Sequence, residues 1–405
     1  MTRPADTLLI TLTGKDRPGV TSAILGALAQ AGVSVIDLEQ ILLRRRLVLG
    51  VLVTAPHDVK RLRRAVEGVA GDLGMTVEIE QGSGDNKARR DGRSHVTVIG
   101  SPLKASAMAA IAGRIADLGG NIDRIERMAR YPVTAIELDV SGADPLALRG
   151  QLAREAADLS VDVAVQPATL LRHGVRLIVM DVDSTLIQGE VIEMLAAHAG
   201  PEVATEVAAV TESAMRGELD FETSLRARVR LLAGLDAAVI DKVYGEIVVN
   251  PGARTLVRTL GRLGYRFAIV SGGFSQITNR LAADLGIHFS RANTLEIVDG
   301  RLTGELVGDV VDRAGKAQAL REFAARAGVA AAATVAIGDG ANDLDMLEAA
   351  GLGIAYNARP VVREAADTSV NVPYLDTIMY LLGISREAIE AADAEDGIVT
   401  PAPPI

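Results

Sequence analysis

The segment 175–185 reads Val-Arg-Leu-Ile-Val-Met-Asp-Val-Asp-Ser-Thr, an apolar run that turns polar at Asp181. Similar apolar runs alternate with amphipathic stretches from here to the C-terminus. They predict further strands at 266–270, 334–337 and 352–355, and helices that begin near Ala253, Ser275, Ala314 and Asp343. Buried strands that alternate with helices are typical of a parallel α/β sheet. We therefore expect such a sheet in the second half of the chain.

Two of the other strands also become polar where they end. Val270 leads into Ser271-Gly272-Gly273, and Ile337 leads into Gly338-Asp339-Gly340-Ala341-Asn342-Asp343. Ligands of open α/β sheets bind beyond the carboxyl ends of the strands, so the three loops should meet at one site. That site would hold four carboxylates, from Asp181, Asp183, Asp339 and Asp343, opposite the hydroxyl of Ser271.

Carboxylates crowded in this way require a cation. The chain has no cysteine, and its five histidines, at positions 57, 95, 173, 198 and 288, show no paired spacing. Oxygen ligands remain, and they favour Mg²⁺. The lack of cysteine also excludes disulfide scaffolds, thiolate zinc sites, iron–sulfur clusters and cysteine nucleophiles.

The glycine-rich loop at 271–273, followed at once by a helix, predicts an anion site that we interpret as a phosphate site. A carboxylate and a phosphate oxygen about 4 Å apart repel by about 4 kcal/mol at an effective dielectric constant of 20. A protein cation must therefore assist the metal, and Lys316 is the best candidate; the alternative is an ordinary solvated helix lysine.

Of Asp181 and Asp183, one carboxylate can attack phosphorus while the other protonates the leaving oxygen and later activates water. An isolated Asp-x-Asp would more often be a helix cap or a turn.

The predicted first and second strands of this sheet are separated by 82 residues, 184–265, whereas a crossover needs only about a dozen. The segment 202–245 has a helical pattern. We therefore expect a small helical subdomain over one end of the sheet.

The N-terminal half contains an internal repeat. A strand at 8–13, a helix to Ala31 and the glycine turn at Gly32 recur about 86 residues later as a strand at 95–99, a second helix and the turn Gly119-Gly120. Middle strands at 41–54 and 135–140, and helices at 59–73 and 145–158, complete two βαββαβ units. A polar segment at 81–93 reads as a solvated linker, and the Pro-rich tail at 400–405 should be extended.

The motifs at 181–185, 271–273, Lys316 and 338–343 resemble the four motifs of the haloacid dehalogenase-like phosphatases. This resemblance covers 174–405 and implies a Rossmann-like parallel sheet with an inserted helical cap at about 194–248. Within that superfamily, Glu190-Val191-Ile192-Glu193 and the stretches 215–221 and 224–229 are similar to the phosphoserine phosphatases.

The resemblance also implies a role for each motif residue. Asp181 would be the nucleophile and Asp183 the acid and base. Asp181, Asp183 through its backbone carbonyl, and Asp339 would hold Mg²⁺. The phosphate would be bound by Ser271, Gly272, Lys316 and Asn342. Glu190 and Arg228 would bind the substrate's ammonium and carboxylate, because a selective pocket needs one anion and one arginine; the alternatives are a first-turn helix acid and a solvated arginine. Asp343 would bind the metal through water or steady Lys316.

The two N-terminal units, 1–86 and 94–170, resemble ACT domains of the ferredoxin-like βαββαβ type, which often bind amino acids at their mutual interfaces. The first has the turn Gly14-Lys15-Asp16-Arg17-Pro18-Gly19-Val20, so Asp16, Arg17 and Gly19 are candidate effector-binding residues, with L-serine as the possible effector. The second unit lacks the Asp-Arg-Pro-Gly element, which favours a packing role. Alternatively, both units serve only to form a homodimer.

Together these observations predict a cytoplasmic, Mg²⁺-dependent hydrolase of O-phospho-L-serine that uses an aspartyl-phosphate intermediate and catalyses the last step of serine biosynthesis. The alternatives are a related phosphotransferase, a phosphatase for another small phosphomonoester, and a non-catalytic amino-acid sensor. Residues 174–405 carry 20 basic and 32 acidic side chains, so we expect no nucleic-acid partner. Apolar runs are shorter than the roughly 18 residues of a membrane span, and no signal peptide is evident, so no membrane association is expected.

Overall fold

The computed structural model describes residues 6–83, 91–169, 174, 176–215 and 219–401. The chain forms two compact units, residues 1–89 and 90–405. Most of the predicted linker, the end of the predicted tail and Val175 lie outside the described residues.

The first unit is a four-stranded antiparallel sheet with two helices. Its sheet order is β2-β3-β1-β4. Along the chain it consists of β1 (Asp6–Lys15), α1 (Val20–Gln30), β2 (Val35–Leu43), β3 (Arg46–Thr54), α2 (Val59–Asp72) and β4 (Thr76–Ser83). This is the predicted βαββαβ order, except that the turn at Arg44-Arg45 places 41–43 in β2 rather than in the next strand.

Alternation along the strands of the first unit sends every second apolar side chain into its core. Leu8, Ile10 and Leu12 of β1 are fully buried against the helices. The opposite face of the sheet remains open, where Leu9, Ile41 and Val48 are 40%, 52% and 36% exposed. Open apolar side chains on one sheet face indicate a surface suited to a partner.

The second unit begins with the second βαββαβ copy. Its sheet has the same order, β6-β7-β5-β8. Its elements are β5 (Ser94–Gly100), α3 (Ala105–Asp117), β6 (Asn121–Ala129), β7 (Thr134–Ser141), α4 (Pro145–Leu159) and β8 (Asp162–Pro167). Pro145 at the first position of α4 and the Asp144 carboxylate, which accepts from Ala147 N at 2.8 Å, start that helix.

A seven-stranded sheet of order β12-β11-β10-β9-β13-β14-β15 forms the body of the second unit. The strands β10, β9, β13, β14 and β15 and the start of β11 run parallel, which confirms the predicted parallel sheet. The strands are β9 (Leu177–Met180), β10 (Arg266–Phe274), β11 (Phe289–Val298), β12 (Arg301–Val307), β13 (Thr334–Gly338), β14 (Leu352–Tyr356) and β15 (Thr368–Val370).

The central strand β9 is buried on both faces. Ile178 and Met180 pack into one hydrophobic core, whereas Leu177 and Val179 pack into a second core on the other side. A strand with two buried faces needs a continuous apolar sequence, which is why this segment could be recognised. The antiparallel hairpin of β11 and β12 was not predicted, because its half-exposed strands have no apolar run.

Four helices form the cap over the carboxyl edge of the sheet, and the others flank the strands. The cap helices are α5 (Val191–Ala199), α6 (Pro201–Met215), α7 (Phe221–Arg230) and α8 (Val239–Glu246). The flanking helices are α9 (Ala253–Arg262), α10 (Ser275–Leu285), α11 (Arg313–Ala327), α12 (Leu344–Ala349), α13 (Pro360–Ala365), α14 (Ile378–Leu381) and α15 (Arg386–Glu395). The inserted helical subdomain is therefore present as predicted.

The second βαββαβ copy shares a hydrophobic core with the seven-stranded sheet. Val96 and Val98 of β5 face the helices of this copy, but Ile99, Ala135 and Ala164 on the other face belong to the core of the seven-stranded sheet. This is the sheet face that stays open in the first unit. The packing role expected for the second copy is thus observed.

Polar contacts extend this junction. The Asp162 carboxylate accepts from the backbone N and the side-chain amide of Asn371 at 2.8 and 2.6 Å. Thr368 Oγ1 donates to Val163 O at 3.0 Å, and Arg149 pairs with Asp367 at 2.5 Å. Burial raises the pKa of Asp162 to about 6 despite the hydrogen bonds from Asn371.

Within the described ranges, none of the helices has both the length and the apolar character that crossing a membrane requires.

Candidate active site

The residues at the carboxyl ends of β9, β10, β13 and β14 meet at a cavity of about 360 Å³ beneath the cap. Residues 271–273, which were predicted to form a loop, are part of the end of strand β10. Its lining includes seven residues singled out from the sequence: Asp181, Asp183, Glu190, Arg228, Gly272, Asp339 and Asn342. Ser271 and Lys316 are fully buried and contact lining carboxylates from behind. The structure therefore brings together all the candidate residues of the second unit.

Asp181 lies at the bottom of the cavity, directly after β9. Its backbone N donates to Ile337 O at 2.9 Å, which continues the pairing of β9 with β13 and fixes the main chain. Burial raises the pKa of the Asp181 carboxyl well above its ordinary value, and the charges of Asp343, Asp339 and Asp183 raise it further, against the lowering effect of Lys316. Because burial and neighbouring carboxylates oppose ionisation of Asp181, any added positive charge nearby stabilises its ionised form.

Lys316 supplies part of that charge from beneath the site. Its Nζ lies 2.8 Å from Oδ1 of Asp181 and 2.8 Å from Oδ1 of Asp343. Although burial lowers the pKa of Lys316, the two ion pairs outweigh burial and raise it. Lys316 is therefore not a solvated helix lysine, and Asp343 steadies it.

Asp183 is held by two donors from different elements. Its Oδ1 accepts from Val191 N at 2.8 Å, at the start of α5, and its Oδ2 accepts from Ser271 Oγ at 3.1 Å. Burial raises the pKa of Asp183, while these hydrogen bonds oppose the increase. The carboxyl is thus oriented in the cavity and can hold a proton at a higher pH than a free aspartate.

The two glycines after Ser271 are required by close approach. A Cβ on Gly272 would lie 2.7 Å from Cζ of Phe221 in the cap, and one on Gly273 would lie 2.8 Å from Oδ2 of Asp183. Gly273 N donates to Ser271 Oγ at 2.7 Å. A larger residue at position 272 would displace the Phe221 ring, and one at position 273 would displace the Asp183 carboxylate.

Asp339 and Asp343 complete an acidic cluster with Asp181. One carboxylate oxygen from each lies within 4.8 Å of the others. Thr185 Oγ1 donates to Asp339 Oδ1 at 2.7 Å, and Gly340 N donates to Asp343 Oδ2 at 3.0 Å. Burial raises the pKa of Asp339 to about 6, helped by the charge of Asp343.

This cluster fits a divalent cation of the oxygen-loving kind. Burial and neighbouring carboxylates raise the pKa values of Asp181 and Asp339, a cost that a bound cation removes. The side chain of Asp183 does not belong to this cluster, and it accepts hydrogen bonds from Val191 and Ser271.

The cap side of the cavity carries Glu190 and Arg228. Ser184 Oγ donates to Glu190 Oε1 at 3.0 Å, and burial together with the charge of Asp183 raises the pKa of Glu190 to about 7. Burial lowers the pKa of Arg228, and the charges of Glu190, Glu193 and Asp183 oppose this. Glu190 precedes α5 but makes no capping hydrogen bond, so it is not simply a helix-end acid.

The candidate effector residues lie in the first unit, before α1. Asp16 N donates to Arg45 O at 2.8 Å, and Gly19 adopts φ +93°, a conformation that favours glycine, at the start of the helix. Asp16 is half-buried, whereas Arg17 and Gly19 are exposed. This geometry forms the predicted tight turn.

Several lining residues were missed from the sequence. Thr211 and Glu193 line the cavity from the cap, and Thr211 Oγ1 lies 3.5 Å from Nη1 of Arg228. Arg359 lines it from the loop after β14. The strand-end rule that selected the other three loops could have found Arg359, because β14 was predicted as a parallel strand.

Buried Asn293 was missed as well. It donates to Gly272 O and accepts from Val311 N, both at 2.7 Å, and so ties the glycine-rich end of β10 to the segment before α11. It lies in the hairpin strand β11, which no sequence pattern revealed.

The chain is similar to known protein families and to phosphoserine phosphatases of other organisms. The haloacid dehalogenase-like hydrolase family matches residues 178–348, and ACT domain families match residues 6–80 and 93–166. The chain is 61% identical over 394 residues to a phosphoserine phosphatase of Streptomyces coelicolor, with 97% of this chain and 96% of the relative covered. It is 53% identical over 396 residues to a phosphoserine phosphatase of Mycobacterium tuberculosis, with 96% of each covered.

Solved structures show the same likeness. A probable phosphoserine phosphatase from Vibrio cholerae, in its unliganded form, is 34% identical and superposes with a TM-score of 0.57 over 74% of this chain and 88% of its own. A haloacid dehalogenase family hydrolase from Salmonella enterica is 30% identical, with a TM-score of 0.62 over 71% of this chain and 98% of its own.

Proposed function

The chain belongs to the phosphoserine phosphatases, a family of haloacid dehalogenase-like hydrolases, and on this basis we propose that it hydrolyses O-phospho-L-serine to L-serine and phosphate. The observation that carries this proposal is one cavity lined by both sets of groups that phosphoserine requires. Asp181, Asp183 and the glycine-rich segment are suited to the phosphate, and Glu190 and Arg228 offer one anion and one cation for the amino acid.

In the first step Asp181 is the nucleophile. A carboxylate oxygen of Asp181 forms a bond to phosphorus as the bond from phosphorus to the serine oxygen breaks, which gives an aspartyl-phosphate. Asp183 donates its proton to the departing serine oxygen, so serine leaves with a neutral hydroxyl. The raised pKa of Asp183 supports this role, because the group must carry a proton when substrate binds.

In the second step Asp183, now ionised, takes a proton from water. The hydroxide oxygen forms a bond to phosphorus, the bond to Asp181 breaks, and inorganic phosphate leaves with both carboxyl groups restored. Ser271, the backbone N–H groups near Gly272, and Asn342 donate to the phosphoryl oxygens, while Lys316 offsets their charge.

Asp181, Asp339 and the backbone carbonyl of Asp183 would hold Mg²⁺. When bound, the ion neutralises the acidic cluster and polarises the phosphoryl group. Asp343 supports the site from below through Lys316.

Glu190 binds the substrate ammonium and Arg228 its carboxylate. Both line the cap side of the cavity, and an arginine fork suits a carboxylate. A phosphomonoester that lacks either group loses one of these contacts, so the pair provides selectivity.

We further propose that the first unit regulates the enzyme by binding an amino acid such as L-serine near Asp16, Arg17 and Gly19, and that it joins two chains in a homodimer. Among the described residues β2 pairs with β3 alone, and it lies beside the open apolar face defined by Leu9, Ile41 and Val48. An unpaired strand edge beside an apolar face favours association with a second copy. We place the enzyme in the cytoplasm, at the last step of serine biosynthesis.

The test is phosphate release from a panel of phosphomonoesters, with and without Mg²⁺, with alcohols present to reveal transfer. We expect Mg²⁺-dependent hydrolysis that is fastest with O-phospho-L-serine and is lost in Asp181→Asn, although that variant still folds. Asp299→Asn, at an exposed hairpin turn outside the cavity, is the matched control. Near-normal activity of Asp181→Asn, or a preference for another substrate, would refute the proposal.

A further inference from the structure

Asn293 of β11 is buried behind the glycine-rich end of β10, and the proposed reaction assigns it no role. Its Nδ2 donates to Gly272 O and its Oδ1 accepts from Val311 N, both at 2.7 Å. A carbonyl can only accept and a backbone N–H can only donate, so these two partners fix the orientation of the amide. Asn293 therefore joins two separate main-chain segments, and each segment leads to groups of the site.

The first segment leads to Asp183 through a chain of hydrogen bonds. Gly272 O and Gly273 N belong to one planar trans peptide, so its carbonyl and its N–H point to opposite sides. Gly273 N donates to Ser271 Oγ at 2.7 Å, and Ser271 Oγ donates to Asp183 Oδ2 at 3.1 Å. Because the Ser271 oxygen accepts from Gly273, the single hydroxyl proton of Ser271 is left for Asp183. Asn293 thus lies at the outer end of a chain that ends at the proposed acid and base.

The second segment leads to Lys316. Val311 precedes α11 by two residues, and Asp312, whose carboxylate accepts from Gly315 N at 2.7 Å, caps the helix. Lys316 lies in the first turn of α11 and is paired there with two carboxylates of the site. The hydrogen bond between Asn293 and Val311 N therefore fixes the chain immediately before the helix that carries the buried cation.

We propose that Asn293 is a positioning residue for phosphoryl transfer. It holds the peptide between Gly272 and Gly273 so that the Ser271 hydroxyl points into the site, and it keeps that peptide in place relative to the start of α11. This inference rests on the proposed function, because it assumes that the groups at this end of β10 receive a phosphoryl group. Donors that are held in place before substrate arrives need no reorganisation during the reaction, and this raises kcat.

Two further contacts hold β11 in place without Asn293. Ser275 Oγ and Thr294 Oγ1 are hydrogen-bonded at 2.8 Å, and Gln276 Nε2 donates to Leu295 O at 2.8 Å. Both contacts tie β11 to the start of α10. A change at Asn293 should therefore disturb the end of β10 more than the fold of the hairpin.

Asn293→Asp tests the role, because an ionised aspartate of nearly the same size keeps an oxygen for Val311 N but has no N–H for Gly272 O. In the full-length, Mg²⁺-loaded enzyme we expect kcat for O-phospho-L-serine to fall about 100-fold, the loss typical of a catalytic group displaced by about 1 Å. KM should change by about threefold or less, since Glu190 and Arg228 still bind the amino acid. Asn293→Ala, which removes both hydrogen bonds, should show the same pattern.

Gln276→Glu is the matched control. It also replaces an amide by a carboxylate and removes a hydrogen bond, the one to Leu295 O on β11, but Gln276 lies outside the described lining of the cavity. It should leave kcat and KM unchanged. Circular dichroism at the assay temperature checks that each variant is folded.

Binding of orthovanadate to the Mg²⁺-loaded protein, followed by calorimetry, gives a readout that needs no turnover. Vanadate can adopt the five-coordinate geometry of a phosphoryl group during transfer, so its dissociation constant should rise about 100-fold in Asn293→Asp, in parallel with the fall in kcat. It should not rise in Gln276→Glu.

The inference is overturned if kcat and vanadate affinity of folded Asn293→Asp equal those of the wild type, or if Gln276→Glu shows an equal loss. A wild type that binds no vanadate overturns it too, since no anion site is then present to be positioned. Loss of folding in both Asn293 variants would assign the residue to the fold instead. If the wild type binds vanadate but does not hydrolyse O-phospho-L-serine, the proposed function fails, while weaker vanadate binding by Asn293→Asp still supports the positioning role.

Discussion

Replacing Glu190 with glutamine should stabilise the metal-free protein, and more so at high pH. Burial and the charge of Asp183 raise the pKa of Glu190 from 4.5 to about 7. Since one pKa unit corresponds to about 1.4 kcal/mol, the folded chain resists ionisation of Glu190 by about 3 kcal/mol relative to the unfolded chain.

The sign follows from where each state releases its proton. The unfolded chain loses it near pH 4.5, whereas the folded chain retains it until near pH 7, so stability falls between these values and is level above them. Glutamine cannot ionise, and its amide oxygen can still accept from Ser184. Glu190→Gln should therefore be more stable than the wild type by about 1 kcal/mol at pH 5 and by about 3 kcal/mol at pH 8.

Urea unfolding at the two pH values, with EDTA present to keep the site free of metal, measures this difference. Glu206→Gln, an exposed substitution on α6 outside the cavity, is the control and should show no pH-dependent gain. An advantage of Glu190→Gln that is the same at both pH values would refute the reasoning.

The same substitution should impair recognition of the ammonium group. With Mg²⁺ present, kcat/KM of Glu190→Gln for O-phospho-L-serine should fall about 10- to 100-fold, the range expected for loss of a hydrogen bond to a charged group. For 3-phospholactate, which has a hydroxyl in place of the ammonium, it should hardly change. An equal loss with both substrates would show that Glu190 acts elsewhere.

Three further predictions concern other parts of the phosphatase body. Asp393, fully buried, pairs with two arginines of α9 at 2.6 and 2.7 Å, and Asp393→Ala should lower the free energy of unfolding by about 3 kcal/mol in urea titrations. Mg²⁺ should raise the midpoint of thermal unfolding, as followed by circular dichroism, and Asp339→Asn should lose most of that increase; an unchanged increase would remove Asp339 from the metal site. Gly272→Ala should reduce kcat/KM at least tenfold without changing the circular dichroism spectrum, because the new methyl group meets Phe221 at 2.7 Å.

Much of the fold could be predicted because the decisive strands are apolar and continuous. The strand β9 must bury both faces, so its continuous apolar sequence stands out. The hairpin of β11 and β12 is half-exposed and mixes polar with apolar residues, so it gave no comparable pattern. Asn293, which donates a hydrogen bond to Gly272 O at the glycine-rich end of β10, was missed for that reason.

The candidate site was accessible to sequence reasoning where loops follow predicted strands. Asp181, Ser271 and Asp339 each lie within two residues of the end of a predicted strand. Thr211 projects from a cap helix, and nothing in a helical pattern distinguishes a cavity-lining threonine from a surface one. From the sequence, Lys316 could be predicted only because the site needs a cation. Its burial between two carboxylates results from the packing of α11 against β9 and α12, which the sequence does not show.

The core that the second ACT-like copy shares with the phosphatase body determines the smallest fragment of the enzyme that keeps its core covered. A chain shortened to begin at residue 174 would expose the apolar surface that Ile99, Ala135 and Ala164 now cover. Asn371 would also lose its hydrogen-bond acceptor, the carboxylate of Asp162. A cut near residue 90 severs neither contact. Of two duplicated modules, the second has thus become part of the core of the catalytic unit.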